Sequence, residues 1–244
     1  VIVLELSSFQ LETTFSLMPL VATVLNITED HLDRHGDLTT YHQIKRKVYQ
    51  NCQFIVCNRD DLLTYPVSNK VTMSFGLSQS STGFSWDKNN AIILLDGKPF
   101  LDSKSCLLAG AHNMLNIQAA AALAKVFGID DHSIRQGARK FGGLPHRCQT
   151  ISMHNDVRWI NDSKATNIGA TLAAINGLVS NLKGKLILIA GGDGKGADFS
   201  VMAECLTHSV DLLITLGKDG DKIASLHSNN IKVQTIQDAV LMAS

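Results

Sequence analysis

The segment KLILIAGGDGKGADFS, residues 185–200, holds three parts of one structural unit in a single run. Its first six residues are apolar enough for a buried strand, the next six form a glycine-rich loop, and a helix is predicted from Ser200. A strand, a glycine loop and a helix in this order are typical of a Rossmann-like parallel sheet. The segment therefore predicts an α/β fold.

The same alternation extends in both directions from this segment. Strands and helices take turns over the second part of the chain, as a helix-covered parallel sheet requires. The predicted strands are 157–160, 185–190, 212–216 and 231–235, and the predicted helices are 168–177, one from 200, one from 219 and one at 237–244.

The first part of the chain predicts a second α/β region. Strands at 1–5, 21–26 and 54–57 are interrupted by a long helix at 38–51, which favours a parallel sheet. Shorter apolar runs bounded by polar turns predict antiparallel additions to that sheet, at 71–75, 83–86 and 91–95. Two helices follow, at 112–127 and from a cap at Asp130 or Asp131 to Lys140.

A cluster of helix and strand breakers separates the two regions. The sequence FGGLPHR, residues 141–147, concentrates glycine and proline in a few positions. We therefore expect a domain boundary just after it, with domains at 1–148 and 149–244.

Length and charge limit the classes of function. Of the 244 residues, 45% are hydrophobic and 18% are charged, and 22 basic side chains balance 22 acidic ones. Such a chain is globular and long enough for two domains. The balanced charge argues against nucleic acid or a membrane surface as partner, and no apolar run has the length of a membrane span. Five scattered cysteines without a C-x-x-C pair are typical of a reduced, cytoplasmic protein.

Both ends of the sequence suggest a longer parent protein. The chain starts without Met, inside the strand-like VIVLE, and ends in QDAVLMAS, an amphipathic helical pattern without a stop signal. We expect the chain to be a fragment.

Polar side chains follow a predicted strand in WINDSKATN, residues 159–167. Asp162 can accept hydrogen bonds from sugar hydroxyls, Lys164 can pair with phosphate, and Thr166 or Asn167 can cap the helix from Ile168. Helix N-termini attract anions, because their first N–H groups are unpaired and the helix dipole is positive there. For these residues alone, an ordinary capped helix is the simpler interpretation.

Two strand ends in the first region carry groups that can bind a metal ion. Glu5 ends the first predicted strand, and His31 follows the second within NITEDHLDR, residues 26–34. Open α/β sheets bind ligands at the carboxyl ends of their strands. Imidazole and carboxylates there suit a divalent ion, and Mg²⁺ would keep waters and phosphate oxygens as further ligands. A solvent-facing glutamate and a hydrogen-bonding histidine are the alternatives.

A basic cluster and the glycine loop each allow two interpretations. Lys45, Arg46 and Lys47 lie in the helix YHQIKRKVY, and they either face solvent or neutralise phosphate in a site. The loop GGDGKG lacks the G-x-x-x-x-G-K-[ST] spacing of a P-loop. It is either a tight turn or a phosphate cradle, and Lys195 can hold a small carboxylate.

Taken together, seven segments resemble the Mur ligases, in the family's order and across nearly the whole chain. The segments SSFQLE and NDSKATN are similar to the member of the family that adds D-glutamate. The seven are ELSSFQLE at 5–12, NITEDHLDR at 26–34, Lys45 in its helix, GAHNMLN at 110–116, GLPHR at 143–147, WINDSKATN at 159–167 and GGDGKGADF at 191–199.

The resemblance implies both a fold and a reaction. The fold is a central ATP-binding domain at 1–148 with a mostly parallel sheet and small antiparallel strands, followed by a Rossmann-like domain at 149–244 that binds the incoming amino acid. In the implied reaction, ATP phosphorylates the terminal carboxylate of UDP-N-acetylmuramoyl-L-alanine, and the amine of D-glutamate then displaces phosphate to form an amide. The parent enzyme is expected to act in peptidoglycan synthesis as a cytoplasmic monomer that uses Mg²⁺.

The resemblance also assigns roles to individual residues. Glu5 and His31 match Mg²⁺ ligands, and Lys45 matches a lysine that becomes carbamylated and helps to hold a second ion. The remaining matches are Ser7 and His31 for the UDP-sugar, Thr166 and Lys195 for D-glutamate, and Asn113, Asn116, Arg147, Asp162 and Lys164 for ATP.

The family's P-loop and uridine-binding domain would precede Val1, and further D-glutamate contacts would follow Ser244. We therefore expect no ligase turnover from the 244 residues alone. Two other functions stay open: a ligase that adds another amino acid, or glutamate to folate, and a nucleotide-binding or regulatory module without catalysis.

Overall fold

The computed structural model describes residues 1–67, 71–108, 110–179 and 182–244. These residues form two compact units. The N-terminal unit comprises Val1–Ile27 and Gly36–Gly143, and the C-terminal unit comprises Thr28–His35 and Leu144–Ser244. The short segment 28–35 therefore packs with residues far away in sequence.

The elements up to residue 143 alternate between helices and strands. In chain order they are α1 (Ser8–Glu12), β1 (Val21–Val24), α2 (Leu32–His35, in the C-terminal unit), α3 (Leu38–Arg46), β2 (Phe54–Asn58), β3 (Val71–Phe75), β4 (Phe84–Asp87), β5 (Ile92–Leu95), β6 (Lys98–Asp102), α4 (Ala111–Phe127) and α5 (Asp131–Lys140), with 3-10 helices at Lys47–Tyr49, Leu62–Thr64 and Ser103–Ser105.

A parallel sheet with the order β1-β2-β3 forms one layer of the N-terminal unit. Val21 pairs with Phe54, and Ile55 pairs with Val71. The predicted parallel sheet is confirmed, but the prediction of an antiparallel strand at 71–75 is wrong. Its apolar residues indicate a strand without indicating a direction, and the connection from β2 to β3 is long enough for a parallel crossover.

The strands β4, β5 and β6 form a separate antiparallel sheet. The predicted strands at 83–86 and 91–95 are therefore antiparallel to each other, but their predicted addition to the parallel sheet is wrong. The reason is packing: Phe84, Ile93 and Phe100 join the core that α4 also covers, and the rings of Phe84 and Phe100 meet edge to face at 5.1 Å. The third strand, β6, was not predicted from the sequence.

Residues 1–7 contradict the predicted strand at 1–5. They have no regular secondary structure, and Val1, Ile2 and Val3 are 94%, 83% and 91% exposed. A strand is stable only when its backbone groups pair with a neighbouring strand. In the described part of the chain, the strands pair with one another and not with these residues.

The predicted helices of the first region are confirmed, although α3 ends earlier than predicted. The helix α3 begins after a cap at Asp37, whose Oδ1 accepts the Thr40 N–H at 2.7 Å, and it passes into a 3-10 turn after Arg46. The helix α4 ends at Gly128, which has the left-handed φ of +101°. Of the two predicted caps for α5, the structure selects Asp130.

The C-terminal unit continues with a hairpin and then a strand–helix alternation. Its elements after residue 143 are β7 (Gln149–His154), β8 (Val157–Asn161), α6 (Ile168–Val179), β9 (Ile187–Gly191), a 3-10 helix at Phe199–Met202, α7 (Ala203–Ser209), β10 (Leu212–Leu216), α8 (Gly220–Ala224), β11 (Asn230–Lys232) and α9 (Ile236–Ala243).

A parallel sheet with the order β11-β10-β9 confirms the alternation predicted from residue 185 onward. The central strand is the most buried, with Leu213 and Ile214 fully covered. Residues from α6, α7 and α8 complete the core, among them Ile175, Leu206 and Ile223. The α/β fold class is therefore confirmed.

The predicted strand at 157–160 lies outside this sheet. It forms an antiparallel hairpin with β7 through a turn at Asn155 and Asp156, which have positive φ angles of 48° and 60°. Asparagine and aspartate tolerate this left-handed conformation, which two-residue hairpin turns require. The alternation therefore starts at α6, and the prediction that it includes this strand is wrong.

None of the helices in the described part of the chain is both long enough and apolar enough to cross a bilayer.

Candidate functional site

Within the C-terminal unit, the loop that contains Arg147 is bonded to the loop that follows β8. The Lys164 N–H donates to the His146 carbonyl at 3.1 Å, and the Cys148 N–H donates to Oδ1 of Asp162 at 2.9 Å. Arg147 and Lys164 are exposed, whereas Asp162 is half-buried. The structure thus brings together the segments that carry three of the predicted ATP-binding residues.

A side-chain bond between His146 and Asn161 strengthens this junction. Oδ1 of Asn161 accepts the Ser163 N–H at 3.0 Å, which fixes the orientation of the amide. Its Nδ2 then donates to Nδ1 of His146 at 3.0 Å. The two loops are held by side chains as well as by backbone.

The carboxylate of Asp162 also acts on Cys148. Burial, followed by the charge of Asp162 and a hydrogen bond to it, raises the pKa of the Cys148 thiol to about 11. Because the thiolate is the reactive form, this thiol is expected to be inert near neutral pH.

We expect iodoacetamide to alkylate Cys148 at pH 8 about a hundredfold more slowly than an unperturbed cysteine, because it forms less thiolate. Asp162→Asn removes the neighbouring negative charge and is expected to raise the rate about threefold to tenfold. Peptide mass spectrometry reads the rate at this cysteine. Asp156→Asn, in the hairpin turn, is the control and should leave the rate unchanged. An Asp162→Asn rate equal to the native rate would contradict the effect assigned to the carboxylate.

Asn167 is the residue that caps α6. Its Oδ1 accepts the Ala170 N–H at 2.8 Å, whereas Thr166 is exposed. Of the two predicted caps, the structure therefore selects Asn167. Its side chain satisfies one of the N–H groups at the helix N-terminus that could otherwise face an anion.

A small charged cluster surrounds Asp30 in the same unit. Nζ of Lys195 donates to its Oδ1 at 3.1 Å, and Nδ2 of Asn167 lies 3.4 Å from its Oδ2. The side chains of Asp30 and Lys195 are only 13% and 26% exposed. Lys195 was predicted from the sequence, whereas Asp30 and this role of Asn167 were not. In sequence, Asp30 is one of several acidic residues in NITEDHLDR, and spacing does not distinguish it.

The glycine loop that carries Lys195 is a tight strand-to-helix turn held by Asp219. The buried Asp219 accepts the Gly194 N–H at 2.8 Å, and its own N–H donates to the Gly192 carbonyl at 2.9 Å. Hydrogen bonds from Lys222 and from Gly194 hold the pKa of Asp219 below its usual range. This bond weakens the interpretation of the loop as a phosphate cradle, because the Gly194 N–H already donates to Asp219.

In the N-terminal unit, Lys45 of α3 and Lys47 just after it point toward the start of the chain. Nζ of Lys45 donates to the Leu6 carbonyl at 3.3 Å, and Nζ of Lys47 donates to the Glu12 carbonyl at 3.4 Å. Lys45, Arg46 and Lys47 are all half-buried. The interpretation as a purely solvent-facing cluster therefore fails for Lys45 and Lys47, whose amino groups contact backbone carbonyls.

The two other candidates near the start of the chain differ in their surroundings. Ser7 caps α1 in a capping box: its Oγ accepts the Gln10 N–H at 3.3 Å, and Oε1 of Gln10 accepts the Ser7 N–H at 2.8 Å. This arrangement gives Ser7 a structural role whether or not it binds a ligand. Glu5 is exposed and precedes this helix.

Asn113 and Asn116 lie in the first turns of α4 and are three residues apart, which places them on one face of the helix. Asn113 is half-buried and Asn116 is exposed. Both positions are compatible with contact to a ligand at the start of this helix.

The predicted Mg²⁺ ligands belong to different units. Glu5 and Lys45 lie in the N-terminal unit, and His31 lies in the C-terminal unit, where its N–H donates to Oδ1 of Asp30 at 3.0 Å. Among the residues that the structure describes, no group of three or more His, Cys, Asp and Glu side chains is arranged to hold a metal ion. The magnesium site stays a prediction.

Two family models match the chain. The Mur ligase middle domain matches residues 1–124, and the Mur ligase glutamate ligase domain matches residues 146–243. The residues between the two matches, 125–145, hold the end of α4, the helix α5 and the first part of the breaker cluster.

Curated relatives named UDP-N-acetylmuramoylalanine–D-glutamate ligase are similar over the whole chain. The protein of Shewanella oneidensis is 46% identical over 244 residues, which cover 100% of this chain and 55% of that relative. The protein of Haemophilus influenzae (strain KW20) is 44% identical, covering 98% of this chain and 55% of the relative. That of Legionella pneumophila (strain Lens) is 43% identical, covering 99% and 56%. The chain thus spans a little over half the length of these relatives.

Solved structures share the fold at lower identity. MurF from Acinetobacter baumannii matches with a TM-score of 0.77 and 19% identity, covering 93% of this chain and 53% of that one. The UDP-N-acetylmuramate-alanine ligase MurC from Thermotoga maritima matches with a TM-score of 0.69 and 20% identity, covering 97% and 55%. Fold, family models and whole-chain similarity agree, and the chain belongs to the Mur ligase family.

Proposed function

We propose that the protein of which this chain is part is an ATP-dependent ligase that joins D-glutamate to UDP-N-acetylmuramoyl-L-alanine in peptidoglycan synthesis. The observation that carries the proposal is the identity of 43–46% to curated D-glutamate ligases over practically the whole chain. The similar solved structures support the fold, and the choice of amino acid rests on the curated relatives. We further propose that the enzyme is a cytoplasmic monomer.

The chemistry of amide formation explains why ATP is needed. A carboxylate oxygen is a poor leaving group, and phosphorylation of the substrate carboxylate turns it into a good one. The amine of D-glutamate then forms the C–N bond as phosphate leaves. Such a reaction is accelerated mainly by positioning and by neutralisation of phosphate charge.

We assign ATP binding to five side chains, two of them on α4 and three in the loops around His146. Support for the three residues of the C-terminal unit comes from the bonded loops around His146, since these loops hold them in one region. An arginine and a lysine there can pair with phosphates, and a carboxylate can accept from ribose hydroxyls. The assigned residues are Asn113, Asn116, Arg147, Asp162 and Lys164.

We assign the magnesium site to Glu5, His31 and Lys45. Glu5 offers the oxygen ligand that Mg²⁺ prefers, a carbamylated Lys45 would add two oxygens, and His31 would add an imidazole nitrogen. Nζ of Lys45 lies 3.3 Å from the carbonyl oxygen of Leu6, the neighbour of Glu5, so these two candidates occupy one part of their unit. When bound, the ion would neutralise phosphate charge.

We assign the UDP-sugar to Ser7 and His31, and D-glutamate to Thr166 and Lys195. The support for Lys195 is its environment: it is a half-buried cation on a loop that Asp219 fixes. Such a cation suits a carboxylate ligand.

The assay that tests the function uses the full-length protein that contains this chain. We expect ADP release that requires both UDP-N-acetylmuramoyl-L-alanine and D-glutamate, with formation of the amide seen by mass spectrometry. Each other amino acid, and folate with glutamate, serves as a control substrate and is expected to give at most a few per cent of the rate. Stimulation by a different amino acid would replace the substrate assignment, and nucleotide binding without ADP release would favour a regulatory module.

A further inference from the structure

The ion pair of Asp30 and Lys195 is complementary to the two charges of an amino acid. An amino acid carries an ammonium group and a carboxylate on one carbon atom, and this pair offers one partner for each. We propose that Asp30 binds the amino group of the incoming amino acid while Lys195 binds its carboxylate. The inference rests on the proposed function and extends it to a residue with no assigned role.

Asp30 is held in place from two sides. Its segment packs on α6 so closely that a Cβ on Gly169 would lie 2.7 Å from Cγ2 of Thr28. Asn167 adds a second restraint, because the cap of α6 fixes its amide and directs Nδ2 toward Oδ2 of Asp30. The carboxylate is therefore preorganised, which lowers the cost of binding a ligand.

Both members of the pair have hydrogen-bonding capacity for a ligand. The ammonium of Lys195 carries three N–H groups, and one of them is directed at Asp30. Oδ1 of Asp30 accepts from Lys195 and from the His31 N–H at 3.0 Å, whereas the contact from Asn167 to Oδ2 is long, at 3.4 Å. A carboxylate oxygen with such a weak contact can accept a shorter, charge-assisted bond from an ammonium.

The pair also discriminates between ligands. An amino acid places its positive charge beside Asp30 and its negative charge beside Lys195, so the pair stays intact and each charge gains a neighbour of opposite sign. A dicarboxylate without an amino group would place a negative charge near Asp30 with no compensation, and it would be repelled. Asp30 thus selects amino acids over plain dicarboxylic acids.

The test compares D-glutamate with glutarate, which has the same carbon chain and carboxylates but no amino group. Saturation-transfer NMR on the full-length protein measures the affinity of each probe without turnover, and the KM for D-glutamate gives a second readout. We expect Asp30→Asn to weaken D-glutamate binding and raise its KM about 10- to 100-fold, as for loss of a charged hydrogen bond. Glutarate is expected to bind this variant as well as, or better than, the native protein.

Two further variants separate the possible outcomes. Asp33→Asn removes the same charge from an exposed position of the same segment and should leave both affinities unchanged. If Asp30→Asn unfolds at a lower temperature than the native protein, Asp30→Ser is used to repeat the test. Equal weakening of both probes by the Asp30 variants, or no weakening of either, would overturn the inference. The Lys195→Gln variant tests the proposed site itself: unchanged affinity for both probes would refute the D-glutamate assignment, whatever the Asp30 variants show.

Discussion

Replacing Lys45 with alanine in the full-length protein is expected to lower ligase turnover about a hundredfold to a thousandfold, the size of effect seen when a charge-stabilising group is removed from an active site. The side chain is half-buried in α3, and its Nζ contacts the Leu6 carbonyl next to Glu5, so it lies where the proposed metal site begins. If the lysine is carbamylated, alanine removes two oxygen ligands as well as the stem. Release of ADP in steady state measures the loss.

The matched control is Lys47→Ala, two residues away on the same helical stretch. Lys47 contacts the Glu12 carbonyl and lies 5.8 Å from the centre of the Phe15 ring, so it stabilises local packing and is expected to change turnover less than threefold. Short carboxylic acids or high bicarbonate should partly restore Lys45→Ala, because they can supply the missing oxygens, and should do nothing for Lys47→Ala. Full activity of Lys45→Ala would contradict the proposed role of Lys45 in the metal site and would mean that α3 has only a structural role.

The sequence predicted the elements of the fold better than their pairing. Apolar runs and caps located most strands and helices, because burial and hydrogen-bonding chemistry act locally. Strand direction depends on partners that local residues do not specify, which is why 71–75 was assigned the wrong direction and 157–160 the wrong sheet. The run at 1–5 has the composition of a strand, but no described strand pairs with it.

In the candidate site, too, the sequence indicated individual residues better than the contacts between them. Motifs indicated Asp162, Lys164 and Lys195, since charged groups after strands and next to glycine loops carry a recognisable pattern. The contact between Asp30 and Lys195 joins positions 165 residues apart. Only the tertiary fold creates it, and the single sequence shows neither residue as the partner of the other.

Substitution of Gly191 by alanine is expected to destabilise the C-terminal unit by about 3 kcal/mol or more, through overpacking and backbone strain together. A Cβ at this position would lie 1.9 Å from the carbonyl oxygen of Leu216, and φ is +157°. The neighbouring strand cannot move away cheaply. The same oxygen accepts the Gly192 N–H at 3.1 Å, and Leu216 pairs with Gly191 in the sheet.

Hydrogen exchange followed by mass spectrometry is the measurement, because it reports on each unit of the full-length protein separately. This loss of stability should speed the hydrogen exchange of the core amides in β9 and β10 about a hundredfold. The exchange rates of the amides in β1 and β2 should stay unchanged. Gly184→Ala is the control: it lies just before the same strand, a Cβ there meets nothing within 4 Å, and the change should be small. Since Gly191 also opens the loop that carries Lys195, the exchange rate at that loop should rise with the strands. Native-like exchange in Gly191→Ala would mean that β9 and β10 can separate to admit a methyl group, which would contradict the rigid loop on which the assigned position of Lys195 depends.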